Sequence, residues 1–133
     1  MTRERLRRIG RVGSRLASIM DAEGHQVTVV DKAPESLSRL PSSFSGRTVL
    51  GDATDESIQE QAGVRDADVF VAVTQGDNRN IMASQMAKEV FGVDKVICRI
   101  YDPIRQEIFE DLGLLTFSPT TLLTRLIHDR IEE

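Results

Sequence analysis

The sequence predicts an α/β fold: a doubly wound, mostly parallel sheet with helices on both faces, in a single domain spanning residues 1–133. Three observations predict it. Strand-like and helical patterns alternate along the chain, which favours parallel strands with right-handed crossovers. The segment Val69–Val73 is apolar at every position, as is typical of a strand covered on both faces. A glycine turn opens the first helix, and a strand ending in an acid, Asp31, follows about twenty residues later.

The glycine turn is the segment Ile9–Ser14, which reads Ile-Gly-Arg-Val-Gly-Ser. A glycine turn, a helix, a strand and a terminal acid follow the order of the dinucleotide-binding βαβ unit, so we expect a Rossmann-like sheet. In that unit Gly10 would let the backbone approach a pyrophosphate, and Gly13 would let the helix pack close to the sheet. The helix N-terminus would face the negative charge with its N–H groups and its dipole. A plain turn at a helix start is the alternative.

The segment before the turn departs from the motif. Arg8 stands where the first glycine of G-x-G-x-x-G is expected, and residues 2–8 carry four arginines. The first strand of this fold lies in the middle of the sheet and is normally apolar. We nevertheless expect Arg5–Ile9 to take the central position as a short strand, because the strands ending at Asp31 and Val73 are too apolar to be edges.

The other elements follow from periodicity and from helix caps. The first helix is predicted to bury one face, formed by Val12, Leu16, Ile19 and Met20. Further helices are expected at Pro34–Leu40, at Asp55–Ala62 with Thr54 as its cap, after Asp77, from Pro103 and from about Pro119. Further strands are expected at Thr48–Leu50, Val96–Ile100 and Leu114–Phe117.

Two helices near the end of the sequence carry apolar stripes. The helix from Pro103 is expected to turn four residues inward, namely Ile104, Ile108, Phe109 and Leu112. The helix from about Pro119 carries a stripe that no later element can cover, formed by Leu122, Leu123, Leu126, Ile127 and Ile131. Because such a stripe usually finds a partner surface, we expect the last helix to make dimer contacts.

Composition excludes several classes of protein. With 17 Lys+Arg against 21 Asp+Glu the formal net charge is −4, which argues against a nucleic-acid partner. Cys98 is the single cysteine, so an internal disulfide is excluded and a reducing compartment fits. No apolar run approaches the roughly 20 residues of a membrane span, and the charged N-terminus lacks the apolar core of a signal peptide. We therefore expect a cytoplasmic protein that does not insert into the membrane.

Four clusters are expected at the carboxyl edge of the sheet, where ligands bind in this topology. The first is the glycine turn. The second is Asp31, which could accept hydrogen bonds from both ribose hydroxyls and would repel a 2′-phosphate; a solvated turn residue is the alternative. Lys32 beside it reads as facing solvent.

The third cluster is Gly51–Thr54. Its small residues would let a flat ring lie against the backbone; an ordinary turn is the alternative. The fourth is Thr74–Asn80, which offers hydroxyl, amide and backbone donors at a helix N-terminus.

Arg99 lies within an apolar strand, where an unpaired charge is costly. It should reach either a ligand phosphate or a carboxylate of the protein.

His25 and His128 show no metal-ligand spacing, and Tyr101 has Arg105 rather than lysine four residues later. We therefore predict no catalytic residue and no metal site, and we expect the thiol of the cysteine to be inert in the core.

Taken together, these segments resemble the RCK N-terminal domain, a nucleotide-binding regulator of potassium conductance, and within that family the regulatory subunit of bacterial Trk-type potassium uptake. The resemblance runs from Gly10 to about Phe117. It rests on Gly-Arg-Val-Gly at the turn, Gly24-His25-x-Val-x-Val-x-Asp31, Gly51-Asp52-Ala53, Ala67-Asp68, Thr74-x-x-Asp77-x-x-Asn80 and Arg99. The residues expected to line the cofactor site are Gly10, Arg11, Val12, Gly13, Asp31, Lys32, Asp52, Ala53, Thr74, Asp77, Asn80 and Arg99.

The resemblance implies a regulatory subunit, not an enzyme, that binds NAD or NADH, or alternatively ATP or ADP. It implies a homodimer or a higher ring at the inner face of the cell membrane, with a membrane potassium-translocating subunit as partner. Members of the family usually carry a second regulatory domain; a stand-alone subunit, a shortened chain and a misassigned start codon stay open here.

Two other functions also stay open. One is a small NAD-dependent oxidoreductase, for which we find no proton-transfer group. The other is an assembly module with a vestigial pocket, which Arg8 motivates.

Overall fold

The computed structural model describes residues 3–6 and 11–133. Its strands are β1 Arg3–Leu6, β2 Gln26–Asp31, β3 Arg47–Leu50, β4 Val69–Ala72, β5 Lys95–Arg99 and β6 Leu115–Phe117. Its helices are α1 Arg11–Ala22, α2 Pro34–Leu37, α3 Glu56–Gln61, α4 Asp77–Gln85, α5 Pro103–Asp111 and α6 Pro119–Ile131. A 3-10 turn at Val64–Asp66 precedes β4, and a π-helical turn at Met86–Val90 continues α4.

The six strands form one sheet in the order β3-β2-β1-β4-β5-β6, and every pair is parallel. The order runs outward in one direction from β1 through β3 and in the other from β4 through β6. The point where the direction changes lies between β1 and β4, and that is where ligands bind in doubly wound sheets. The predicted fold class is therefore confirmed: the domain is Rossmann-like.

The first strand takes the central position that the sequence predicts, but it uses earlier residues. β1 spans Arg3–Leu6 rather than Arg5–Ile9. The register decides these bounds, because Arg3 lies opposite Gln26 at the start of β2 and Leu6 lies opposite Val71 in β4. Residues 7–10, which include Arg8 and Gly10 of the expected motif, lie outside the described residues.

Two apolar clusters cover the two faces of the sheet. In β4 the side chains alternate between them: Phe70 and Ala72 belong to one cluster, whereas Val69 and Val71 belong to the other. Helices α3 and α4 contribute to the first cluster, and α1 contributes Ala17 to the second. Burial on both faces explains why Val69–Val73 is apolar without alternation.

The buried face of α1 is narrower than predicted. Ala17 is fully buried, and Leu16 and Met20 pack against the same cluster, but Val12 and Ile19 are exposed. The small residues Gly13 and Ala17 form the line of closest approach to the sheet, so the larger side chains lie at its flanks.

The prediction for α5 is wrong for three of its four residues. Phe109 packs against the core, whereas Ile104, Ile108 and Leu112 are exposed, Ile104 to 73%. The other three apolar side chains of the helix lie outside the core.

The N-cap of α3 also differs from the prediction. Asp55 caps the helix by accepting a hydrogen bond from the Ser57 amide at 2.9 Å, whereas Thr54 donates its amide to Asp52. Short side chains compete for such positions, and the carboxylate one residue later takes the capping role.

The stripe on α6 is exposed, as its sequence predicts. Every residue from Leu122 to Glu133 is exposed, and none of α6 is fully buried. Among residues 3–6 and 11–133, no helix is both long enough and apolar enough to cross a membrane.

Candidate nucleotide site at the carboxyl edge of the sheet

The carboxyl ends of the strands bring most of the predicted site residues to one edge. β2 ends at Asp31, β3 leads into Gly51–Thr54, β4 leads into Thr74, and β5 ends at Arg99. The first turn of α1 adds Arg11, Val12 and Gly13, of which Val12 is exposed and Gly13 is buried.

Asp31 is a buried acid at the tip of β2, 1% exposed. Its Oδ1 accepts a hydrogen bond from the Ala33 amide at 2.8 Å, and its carbonyl accepts one from the Gly51 amide at 2.9 Å. The alternative of a solvated turn residue is therefore wrong. Lys32 next to it is exposed, as expected. The carboxylate is thus held in a fixed position at the carboxyl edge of the sheet.

The loop after β3 packs closely against α3. A Cβ on Gly51 would lie 2.6 Å from the Ile58 Cδ1 atom, so a larger residue at this position would force the Ile58 side chain to move. Ala53 is buried, and its carbonyl accepts a hydrogen bond from Gln59 Nε2 at 2.7 Å. These contacts fix the loop that presents Asp52 at the edge of the sheet.

Asp52 lies at the N-terminal end of α3 with both carboxylate oxygens engaged. Its Oδ1 accepts hydrogen bonds from the Thr54 amide at 2.9 Å and the Thr54 hydroxyl at 2.7 Å. Its Oδ2 lies 3.6 Å from Nη1 of Arg79, in the first turn of α4. The sequence analysis missed Arg79. The sequence contained a signal for it. The helix dipole disfavours a cation in the first turn of a helix, so an arginine at this position suggests a role other than stabilising the helix.

Asn80 is fully buried and joins three elements. Its Oδ1 accepts hydrogen bonds from the amide, at 3.0 Å, and the hydroxyl of Thr74. Its Nδ2 donates to the carbonyls of Thr74 and Arg99, each at 2.9 Å. Both donors and the acceptor of the amide are therefore in use. Asparagine is a poor helix former, and these hydrogen bonds explain its presence in the first turn of α4. Asn80 holds the ends of β4 and β5 in place.

Asp77 begins α4 but does not cap it. Gly76 is the N-cap, without a side-chain hydrogen bond to the helix. The Asp77 carboxylate instead accepts hydrogen bonds from the amides of Tyr101 at 2.9 Å and Asp102 at 3.2 Å. It therefore fixes the loop that follows β5.

Arg99 carries its charge at this edge with no ion pair to any described residue. Its Nη1 donates to the Val73 carbonyl at 3.4 Å, and its guanidinium lies 4.5 Å from the centre of the Tyr101 ring. Its buried Nε has no hydrogen-bond partner. In the part of the chain that is described, no carboxylate comes within ion-pair distance of it, so the alternative of a structural salt bridge is wrong there.

Burial lowers the pKa of the Arg99 guanidinium from its usual value, and the nearby Asp77 carboxylate opposes that shift. Arginine keeps its proton even so. A partly desolvated cation with an unused donor is a suitable ligand for an anionic group, and it lies next to the point where the strand order reverses.

The described residues hold no cluster of three or more His, Cys, Asp and Glu side chains suited to a metal. Burial raises the pKa of the Cys98 thiol to about 11, so the thiol stays protonated and unreactive at neutral pH. Arg105 donates a hydrogen bond to Asn78 Oδ1 at 2.7 Å. The polar and charged side chains at the carboxyl edge of the sheet are thus suited to binding a ligand by hydrogen bonds and charge.

The parallel sheet, its order and the polar residues at its carboxyl edge define the class of Rossmann-like domains. The model of the TrkA-N domain family matches residues 9–118, and the chain belongs to this family. The resemblance to RCK N-terminal domains is thereby confirmed. The chain is 45% identical over 122 residues to the Trk system potassium uptake protein TrkA of Streptomyces coelicolor, which covers 92% of this chain and 53% of that protein. The chain thus spans about half the length of this relative.

Solved structures share the fold. The TrkA-N domain of the inner membrane protein ybaL from Escherichia coli superimposes with a TM-score of 0.82 at 18% identity, covering 96% of this chain and 94% of that one. GsuK bound to ADP superimposes with a TM-score of 0.79 at 17% identity, covering 94% of this chain and 33% of that one. At these identities the likeness concerns the fold.

Proposed function

We propose that the chain is the nucleotide-binding regulatory domain of a bacterial potassium transporter of the Trk or Ktr type. It binds NAD or NADH, or alternatively ATP or ADP, and gates transport without converting the nucleotide. It acts in the cytoplasm, at the inner face of the membrane, through a potassium-translocating subunit. One observation carries the proposal. Asp31, a buried acid, and Arg99, a cation with no ion pair to a described residue, lie on opposite sides of the sheet's switch point.

The proposed roles follow the chemistry of each group. Asp31 accepts hydrogen bonds from the ribose hydroxyls, and Arg99 reaches a phosphate. Asp52 and Ala53 border the adenine, and the loop that begins at Thr74 covers the phosphates. The first turn of α1, with Arg11, Val12 and Gly13, faces the pyrophosphate with backbone N–H groups, and the sequence motif assigns Gly10 to the same contact. Asp77 and Asn80 hold these groups in place, and Lys32 lies at the outer rim.

Two comparisons support the proposal. The 45% identical relative is named as a component of a potassium uptake system. GsuK, which has the same fold, has been solved with ADP bound. The exposed stripe on α6 supports a homodimer or a larger ring. It also favours the second candidate function, an assembly module whose pocket no longer binds nucleotide.

Binding without turnover is the test. Calorimetry and thermal melting with NAD, NADH, ATP, ADP and AMP should give saturable binding of at least one of them, and chromatography of the recovered nucleotide should show it unchanged. A dimer that shows no heat and no melting shift with any of them would favour the assembly module. Consumption of NADH with a small carbonyl compound would instead favour an oxidoreductase.

Gating is tested separately with a Trk-type potassium-translocating subunit in lipid vesicles. The chain should bind these vesicles and not vesicles that lack the subunit, and nucleotide should change the potassium flux. A flux that is the same with and without nucleotide would contradict the regulatory role even where nucleotide binds.

A further inference from the structure

Arg79 connects the loop after β3, which borders the proposed adenine position, with the loop after β4, which covers the proposed phosphate position. Its aliphatic stem lies beside Gly76, where an added Cβ would be 3.9–4.0 Å from the Cβ, Cγ and Cδ atoms of Arg79. Its Nη1 reaches Asp52 Oδ2 at 3.6 Å. The side chain therefore runs from the loop after β4 to the loop after β3.

The ion pair is not explained by folding. The side chains of Arg79 and Asp52 are 45% and 37% exposed, and pairs of this kind add little to stability. At 3.6 Å the contact is also longer than the roughly 2.7–2.9 Å of a charge-assisted hydrogen bond. A cation in the first turn of α4 is opposed by the helix dipole, so a role in recognition is the better explanation.

We propose that Arg79 and Asp52 together read the edge of the bound base and select adenine; this inference rests on the function proposed above. The pair presents an acceptor, Oδ2, beside a donor, Nη1. Adenine presents the matching combination on its N6/N7 edge, where an amine donor lies next to a ring acceptor. Guanine presents two acceptors there, O6 and N7, and the carboxylate would repel one of them. Hypoxanthine carries the same O6 acceptor in place of the amine.

The roles of the two side chains are distinct. Asp52 accepts from the N6 amine, and its orientation is set by the two hydrogen bonds from Thr54 to Oδ1. Arg79 donates to the ring nitrogen and offsets the negative charge of the carboxylate. Arg79 thus contacts the base through its guanidinium, and Asp52 is the residue of the pair that distinguishes adenine.

The test compares Arg79→Gln with a matched control, Arg65→Gln. Arg65 is also an exposed arginine in an ion pair, 3.0 Å from Glu60, but it lies beyond the other end of α3. Affinities for adenosine, AMP, ADP and IMP are measured by calorimetry, with circular dichroism and urea unfolding to check the fold.

The native protein should bind AMP about tenfold more tightly than IMP, the factor expected for one good hydrogen bond. Arg79→Gln should weaken adenosine, AMP, ADP and IMP by the same factor, about five- to tenfold, and should leave the preference for AMP over IMP in place, because N7 is common to both bases and Asp52 still distinguishes the N6 amine from O6. Arg65→Gln should change none of these values. Because the pair is exposed, Arg79→Gln should unfold at the same urea concentration as the native protein.

Three results would overturn the assignment while leaving nucleotide binding intact. Unchanged affinities in Arg79→Gln would mean that the residue makes no contact with the ligand. A loss that grows from adenosine to AMP to ADP would place the guanidinium on the phosphates. Tighter binding by the variant would mean that Arg79 competes with the base for Asp52. If the native protein binds none of the four compounds, the proposed function fails and this inference fails with it.

Discussion

Thr74 and Asn80 hold each other through three hydrogen bonds across the N-terminus of α4. The amide and the hydroxyl of Thr74 donate to Asn80 Oδ1, and Asn80 Nδ2 donates back to the Thr74 carbonyl. Because Asn80 also donates to the Arg99 carbonyl, the ends of β4 and β5 are fixed relative to α4. The loop that we assign to the phosphates is thereby held in position before any ligand binds.

Replacing Asn80 should therefore destabilise the domain. Asn80→Ala leaves the Thr74 amide and the Arg99 carbonyl buried without their partner, and should lower the free energy of unfolding by about 2–4 kcal/mol. Urea unfolding measures this. Asn78→Ala is the matched control, since Asn78 is exposed and should cost less than about 0.5 kcal/mol. Equal midpoints for the two variants would show that the bonded amide does not stabilise the fold.

Asp31 should select NAD over NADP, because a 2′-phosphate would meet its carboxylate. Asp31→Ala should weaken NAD binding by about 1–3 kcal/mol, the cost of losing hydrogen bonds to a charged acceptor. Calorimetry measures both effects. Asp31→Asn keeps the shape of this buried side chain but removes its charge, so comparing it with Asp31→Ala shows how much of the lost affinity is due to the charge. Equal affinity of the native protein for NAD and NADP would contradict the assigned role.

Arg99 should matter for phosphates and not for the nucleoside. Arg99→Met should weaken ADP by about 1–3 kcal/mol and leave adenosine unchanged, because only the phosphates gain a charge-assisted hydrogen bond. Urea unfolding should show a change in stability of about 1 kcal/mol or less, since the variant loses the weak Nη1 bond to the Val73 carbonyl but also removes a buried Nε that lacks a partner. A parallel loss of adenosine and ADP affinity would show that Arg99 acts on the shape of the crevice instead.

The stripe on α6 should drive self-association. Sedimentation at about 100 μM should show a dimer or a larger ring, since even a dissociation constant in the micromolar range gives mostly dimer there. Leu123→Glu combined with Leu126→Glu should give a monomer with the native circular dichroism spectrum, because both side chains are exposed and lie outside the core. A native protein that sediments only as a monomer would be incompatible with this prediction.

The charged start of the chain should limit stability and affinity. Arg3, Glu4 and Arg5 belong to the central strand; the backbone of β2 pairs with all three, and that of β4 pairs with Glu4 and Arg5. Burial of a single unpaired charge costs several kcal/mol, a large share of a typical stability of about 5–15 kcal/mol. Replacing these residues with valine and isoleucine, together with Arg8→Gly, should raise both the melting point and the nucleotide affinity. If neither changes, the charged start is an adaptation and not a defect.

The sequence by itself determined the fold class and the edge at which the site forms. The continuous apolar run at Val69–Val73 requires burial on both faces, and an alternating order of strands and helices allows that only in a parallel sheet between two helical layers. The carboxyl ends of parallel strands lie together, so the placement of Asp31, Thr74 and Arg99 at one edge follows from local pattern alone.

Only the tertiary structure decided what each side chain at that edge does. Asn80 lies in one helix, but its partners lie at the ends of β4 and β5, and no local pattern predicts which strands become neighbours. Gly51 lies close against the Ile58 side chain, a contact that depends on where α3 lies on the sheet. The ion pair of Arg79 with Asp52 joins residues on separate strand–helix loops. Hydrogen bonds and close packing act over a few ångströms, so they are decided only once the chain has brought distant segments together.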